Sequence, residues 1–194
     1  FLSKGMNIHL DGVANDYVGK GMNGGKIIIN SPHQGIHFAG AGNTCLYGAT
    51  GGKLYVRAAV GERFAVRNSG AISVVEGTGD NPCEYMTGGI VVILGKTGIN
   101  FGAGMTGGLA FIYDEDNGFF DRMNQELIET VRINTDSTER ERLYLKRLLM
   151  DYVNETESEQ AINILDNFRT EIRNFWMVKP KNMTVLPLDP DEGD

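Results

Sequence analysis

One eight-residue string, written and rewritten, constrains this chain more than any other feature. MTGGLAFI at 105–112 nearly repeats MTGGIVVI at 86–93, and ATGGKLYV at 49–56 and MNGGKIII at 22–29 are close variants. NSGAISV at 68–74 is a weaker copy. With the second glycine of each copy as the mark, Gly25, Gly52, Gly70, Gly89 and Gly108 lie at intervals of 27, 18, 19 and 19 residues. A period of this length is the signature of a stacked architecture, in which each repeat buries its apolar face against its neighbours.

Every copy joins a turn and paired small residues to a short β-rich run, such as KLYV at 53–56 or IVVI at 90–93. A second half-unit, as in GNTCL at 42–46 and GINF at 98–101, precedes the pair, so one repeat holds two or three short strands separated by glycine corners. Strands this short form no sheet alone, and no helical pattern separates them as a doubly wound fold requires. The economical solution is a mainly β fold, a parallel β-helix, in which each strand pairs in parallel with its counterpart one coil away. Glycine suits the corners, where the chain needs positive φ or lies against the next coil. The alternation predicts Ile27, Ile29, Leu54, Val56, Val91, Ile93, Leu109 and Phe111, or their immediate neighbours, as the inward positions. The long first interval contains NSPHQGIHFA at 30–39, read as an enlarged coil or a projecting loop of the kind that binds partners.

The character changes near residue 114. Of 26 glycines, 24 precede it; residues 1–113 carry a net charge of +2 and residues 114–194 a net of −9. The boundary falls in YDEDNG at 113–118, giving a solenoid over 1–113 and a helical appendage with an acidic tail over 114–194. Phe120, Met123, Leu127 and Val131 predict a first helix of about 13 residues. Thr138 and Glu141 are spaced as a capping box for a second, with the stripe Leu145, Leu148, Leu149, Tyr152. Thr156 and Glu159 have the same spacing for a third, with Ala161, Leu165, Phe168, Ile172 and Phe175 on one face. These helices are expected to cover an end or flank of the solenoid. Residues 177–188 read as extended and 189–194 as a disordered tail.

The net charge of −7 argues against nucleic-acid binding, which requires clustered Lys and Arg. No apolar run approaches the length that spans a bilayer, and no signal-peptide pattern is present. Two cysteines form neither a disulfide framework nor a four-ligand zinc set, so the expected setting is reducing and cytoplasmic. The start at Phe1, without Met, is read as that of a piece of something longer.

Candidate chemistry is sparse. Gly19, Gly21 and Gly24, and again Gly102, Gly104 and Gly107, match G-x-G-x-x-G. That pattern holds a pyrophosphate only where it opens a helix, and here it opens the β-rich runs at 26–29 and 109–112, so coil corners are the reading. His33 and His37 have a metal-pair spacing, but Pro32 and Gly35 argue against a shared helix and no third ligand adjoins them; they read as surface or interface histidines. Cys45 and Cys83 read as buried small hydrophobes, pointing to opposite faces if both stand in strands. Arg57, Arg63 and Arg67 cluster within one coil and its successor, read as a solvated face paired with Glu62 and Glu76, with a domain contact as the alternative. No catalytic, cofactor-binding or metal-binding residue is assigned.

Longer strings carry a family resemblance. ANDYVGKG at 14–21, GNTCLYGATGG at 42–52, GERFAVRNSG at 61–70, GDNPCEYMTGG at 79–89 and the ending NFWMVKPK at 174–181 closely resemble the carboxy-terminal glycine-repeat (GXGXG) domain of the glutamate synthase large subunit. The resemblance implies a right-handed parallel β-helix serving as one domain of a flavo-iron–sulfur enzyme. In that family an amino-terminal cysteine amidotransferase domain releases ammonia from glutamine. The ammonia travels through a tunnel to an FMN site, where 2-oxoglutarate becomes glutamate with electrons from NADPH, NADH or ferredoxin. Phe1 is not the nucleophilic cysteine and no cysteine cluster matches an iron–sulfur centre. FMN, the iron–sulfur cluster and NADPH are therefore expected in other domains of the parent, and none in this chain. The implied role is a noncatalytic brace between the amidotransferase and synthase domains, with those domains, and through them the small subunit, as partners. The alternative is a stand-alone interaction subunit, since similar glycine-repeat modules occur as separate subunits in related archaeal systems and in formylmethanofuran dehydrogenase.

Overall fold

The computed structural model describes residues 1–32, 39–184 and 186–188. Most of the insertion at 30–39, with His33 and His37, lies outside the described residues, as does the tail at 189–194.

The described chain is a parallel β-solenoid of about five turns, closed at one end by antiparallel strands and flanked by helices. Strands β1 (Asn7–Asp11), β2 (Asn23–Asn30), β4 (Gly51–Val60), β5 (Ser69–Thr78), β6 (Thr87–Ile93) and β7 (Gly107–Tyr113) stack in parallel in that order, and β3 (Ala39–Ala41) pairs with β4. β8 (Ile128–Arg132) and β9 (Phe175–Pro180) complete the sheet, with β9 running antiparallel between β7 and β8. The helices are α1 (Phe119–Arg122), α2 (Glu139–Thr156), α3 (Glu159–Asp166) and α4 (Phe168–Glu171).

Register turns the repeat into two inner columns. Ile27, Leu54, Ser73, Val91 and Ala110 stand in line, as do Ile29, Val56, Val75, Ile93 and Ile112. Both columns line the solenoid interior, which satisfies Ser73 by donation of its hydroxyl to Leu54 O at 2.6 Å. The expected inward residues are thus correct in β2, β4 and β6. In β7 the phase is the other one, with Ala110 and Ile112 inward; Leu109 and Phe111 pack on the helix side with Ile28, Tyr55, Val74 and Val92. The register also corrects one repeat mark. Ile72 pairs with Lys53 on one side and Ile90 on the other, so Ala71, just before it, matches the second glycines Gly52 and Gly89, giving intervals of 27, 19, 18 and 19.

Opposite the strands, each coil closes through a turn with positive φ at every second residue. The triplets are Tyr17, Gly19, Gly21; Thr44, Leu46, Gly48; Arg63, Ala65, Arg67; Asn81, Cys83, Tyr85; and Asn100, Gly102, Gly104. A left-handed residue reverses the direction of its peptide group, so successive N–H groups reach alternately up and down the stack. Thr44 N donates to Glu62 O and Gly48 N to Val66 O in the next coil, while Leu46 N donates to Val18 O in the preceding one. One coil on, Arg63 N and Arg67 N donate forward to Asp80 O and Glu84 O, and Ala65 N donates back to Cys45 O. A non-glycine residue in this conformation costs roughly 1–2 kcal/mol, and the inter-coil bonds offset it by satisfying backbone groups that would otherwise be left unpaired. Side-chain oxygens extend the ladder, with Asp16 Oδ1 accepting from Asn43 N, Asn43 Oδ1 from Glu62 N and Asp80 Oδ1 from Ile99 N.

The helical expectations are met only in part. α2 buries the expected Leu145, Leu148, Leu149 and Tyr152 against the outer sheet face, so the appendage covers a flank. The capping box before it is Thr135 with Thr138, not Thr138 with Glu141. The first predicted helix is a single turn, α1, because Met123 is extended and its segment seals the solenoid end: Phe101 N donates to Arg122 O and Asn124 N to Phe101 O. Beyond this seal the chain, with β-branched Ile128, Thr130 and Val131, forms strand β8. The third helix is capped by Ser158, not Thr156. It stops at Asn167, and Phe175 opens β9. The extended stretch expected beyond Trp176 is in part the strand that pairs with both β7 and β8.

Candidate functional site

The two G-x-G-x-x-G stretches sit in the alternating turns and lead into β2 and β7. Space beside their glycines is filled by this chain's own atoms. A Cβ on Gly21 would lie 2.6 Å from Phe1 Cε1, one on Gly102 2.6 Å from Ile128 Cδ1, and one on Gly107 under 3.0 Å from Thr87 O. Neither a helix N-terminus nor a vacant cradle is present at either stretch, so these residues do not fit a dinucleotide pyrophosphate.

Cys45 and Cys83 both point into the solenoid interior, contrary to the opposite-face expectation, because they stand in turns and occupy neighbouring positions of the alternating pattern. The Cys45 thiol donates to Gly42 O at 3.4 Å, and burial pushes it up to about 12. Burial alone pushes the Cys83 thiol up as well. Thiolates are what bind metal and attack electrophiles, so this pair fits neither an iron–sulfur centre nor a nucleophile. Among the described residues no group of three or more His, Cys, Asp or Glu is placed to hold a metal ion, and no helix is long and apolar enough to cross a membrane. At pH 8 a thiol reagent is expected to leave both cysteines intact in the native chain and to modify both in denaturant. Rapid labelling of the native protein would contradict their placement.

The three arginines do not form one surface. Arg57, on β4, donates to Thr156 O at 3.0 Å and Ser31 O at 3.3 Å on the helix side. Arg63 and Arg67 are exposed on the turn side. Glu76 is no partner of theirs: it is 1% exposed and accepts hydrogen bonds from Ser158 Oγ at 2.5 Å and Tyr152 Oη at 3.3 Å.

The polar chemistry therefore gathers where the helices meet the sheet. Lys26 pairs with Glu155, and Lys53 lies 3.2 Å from Asp151, which also accepts from Tyr55 Oη at 2.5 Å. Burial opposes the charge on Asp151, yet the Tyr55 hydroxyl and the Lys53 and Lys26 ammoniums outweigh it and hold the carboxyl below the usual carboxylate range. Burial, then Asp151, pushes the Tyr55 hydroxyl well above its ordinary value. Sequence reasoning missed this cluster. Its only local trace is lysine at matching positions of successive coils, Lys26 and Lys53.

This seam ties the helices to the solenoid, and it lies on a repeat that known proteins share. The sequence matches the GXGXG motif family over residues 1–181. The chain belongs to that family. It is 52% identical over 184 residues, 93% of its length, to the ferredoxin-dependent glutamate synthase of Pyropia yezoensis. It is 51% identical over 192 residues, 96% of its length, to the chloroplastic ferredoxin-dependent glutamate synthase 2 of Arabidopsis thaliana. The NADH glutamate synthase of Schizosaccharomyces pombe is 46% identical over 190 residues, again 96% of this chain. This GXGXG chain spans 12%, 12% and 9% of those relatives. In this GXGXG chain a Cβ on Gly19, Gly21, Gly102 or Gly104 would meet side chains, and one on Gly52, Gly88, Gly89, Gly107 or Gly108 would meet the backbone of the preceding coil, so both sets of glycines serve packing within the stack.

Proposed function

We propose that this GXGXG solenoid is a noncatalytic structural domain of a glutamate synthase large subunit. It braces the glutamine amidotransferase and the FMN-dependent 2-oxoglutarate synthase domains while ammonia passes between them. One observation carries the reading: the paired glycines are used against adjacent coils, which makes the repeat a close-packed spacer whose strands β2 and β4 to β7 bury residues on both faces. The similarity to a short stretch of several much longer glutamate synthases supports a domain over a free-standing subunit. The partners on this reading are the other large-subunit domains and, through them, the small subunit. FMN, iron–sulfur and pyridine-nucleotide chemistry is theirs.

The test is made in the full-length synthase. A solenoid-loosening substitution such as Gly108→Val is expected to uncouple the half-reactions. Glutamine hydrolysis and glutamate formation from added ammonia persist, while glutamine-dependent glutamate formation falls. Stoichiometric FMN on the isolated chain, or glutamine hydrolysis by it, would overturn the assignment.

A further inference from the structure

A third column crosses the coils where the strands give way to the alternating turns. Ala41 pairs with Val60, and Val60 with Thr78. Thr78 N donates to Lys96 O at 3.0 Å and Gly98 N donates to Thr78 O at 3.1 Å, the two bonds that set Thr78 beside Thr97 in a parallel ladder. Residues paired in this way turn their side chains to one face, and Ala41 and Val60 belong to the solenoid interior. The column therefore runs Ala41, Val60, Thr78, Thr97, two apolar residues followed by two hydroxyls.

Both Oγ1 atoms are shut off from solvent, and neither has a hydrogen-bond partner among the described residues. Thr97 as a whole is 2% exposed. Ser73, the hydroxyl of the neighbouring inner column, shows the usual solution, donation to a backbone carbonyl of the preceding coil, Leu54 O. Leaving a buried hydroxyl unbonded is costly, and valine, of the same shape, already fills this column at position 60. Two threonines in succession are a disadvantage here unless something bonds them. Strands of a ladder lie about 4.8 Å apart. Hydroxyls placed alike on them are beyond direct reach, which is about 2.8 Å, whereas one oxygen bonded to both spans the gap at an angle near the tetrahedral one.

We infer that Thr78 and Thr97 hold one ordered water molecule between them inside the solenoid. It accepts a hydrogen bond from one hydroxyl and donates to the other, so both buried oxygens are satisfied at once. The class of ligand follows from the column: two neutral groups, each able to donate and to accept, standing beyond apolar Ala41 and Val60, suit a small neutral donor and acceptor. Its effect is local. The water ties the corner at Thr78 to the corner at Thr97 through side chains, next to the backbone bonds that already join the two coils there.

Denaturant unfolding of the full 194-residue chain tests this with Thr78→Val, Thr97→Val and the double variant. Val60 shows that valine fits the column, so the substitutions exchange a hydroxyl for a methyl with little change of shape. With the water in place, each single variant should shift the folding equilibrium toward the unfolded state by about fivefold, the worth of one hydrogen bond. The second substitution should then add little, because it removes a hydroxyl that has already lost its partner. A crystal structure of the chain should show one oxygen within hydrogen-bond distance of both Oγ1 atoms. Single variants as stable as the parent, or more stable, overturn the inference, since they would show hydroxyls with no bond to lose. A crystal structure with no oxygen between the two threonines, or with either Oγ1 bonded to a protein atom instead, overturns it as well.

Discussion

Replacing Gly89 with valine is expected to destabilise the isolated chain by about 3 kcal/mol or more, summing a left-handed backbone penalty of roughly 1–3 kcal/mol and an overpacking penalty of similar size. Both arise at this one position. Gly89 has φ +81°, and a Cβ there would meet Ala71 O and lie 2.7 Å from Asn68 Nδ2. The two contributions can be separated with controls. Gly48 has φ +61° and nothing within 4 Å of its Cβ position, so Gly48→Val reports backbone strain alone. Gly107 is not among the positive-φ glycines, yet its Cβ would lie under 3.0 Å from Thr87 O, so Gly107→Val reports the clash alone. Denaturant midpoints at constant m should rank Gly89→Val as the worst of the three. A Gly89→Val protein no less stable than Gly48→Val would refute the close stacking of coils at that corner.

The same corner shows what could be read in the chain and what could not. The period is legible because a side chain is forbidden where coils touch, and glycine marks such places in plain text. It misleads by one residue at Gly70 because that coil has alanine where the others have glycine. There Asn68 supplies the order, its amide accepting from Ala71 N and donating to Ala71 O, and no spacing rule announces that. The inner phase is right in β2, β4 and β6 and off by one residue in β7; residues 90–93 and 109–112 are buried throughout, so in these strands no alternation is left to fix the phase. The alternating turns leave only a trace, the G-x-G spacing. Thr44, Leu46, Arg63 and Cys83 adopt positive φ because the stack on either side demands it, and their identities do not encode the sign. The helical spacing of Phe120, Met123, Leu127 and Val131 favours a helix over 120–131, and the need to close the solenoid end and extend the sheet overrides that local preference. The seam between helices and sheet is invisible for a simpler reason, since Glu76 and Ser158 are 82 residues apart.

That pair carries the second large effect. Ser158 Oγ accepts from Ala161 N as the cap of α3 and donates its proton to Glu76. Ser158→Ala removes both at once. Loss of the cap costs about 1 kcal/mol. Withdrawal of a donor from a buried carboxylate costs roughly 1.5–3 kcal/mol more, because the Tyr152 hydroxyl has one proton and lies nearer Val56 O, at 2.9 Å, than Glu76 Oε1, at 3.3 Å. A total loss of about 3 kcal/mol is expected from these two contributions, with α3 and the end of α2 loosened ahead of the solenoid. Hydrogen exchange should then show faster opening in α3 while β5 and β6 keep their protection. Glu76→Gln separates the contributions: with no charge left to desolvate, adding Ser158→Ala to it should cost little beyond the cap. If Ser158→Ala costs the same in the Glu76→Gln background as in the native chain, the two side chains are uncoupled and the helices are held to the sheet by their apolar faces alone.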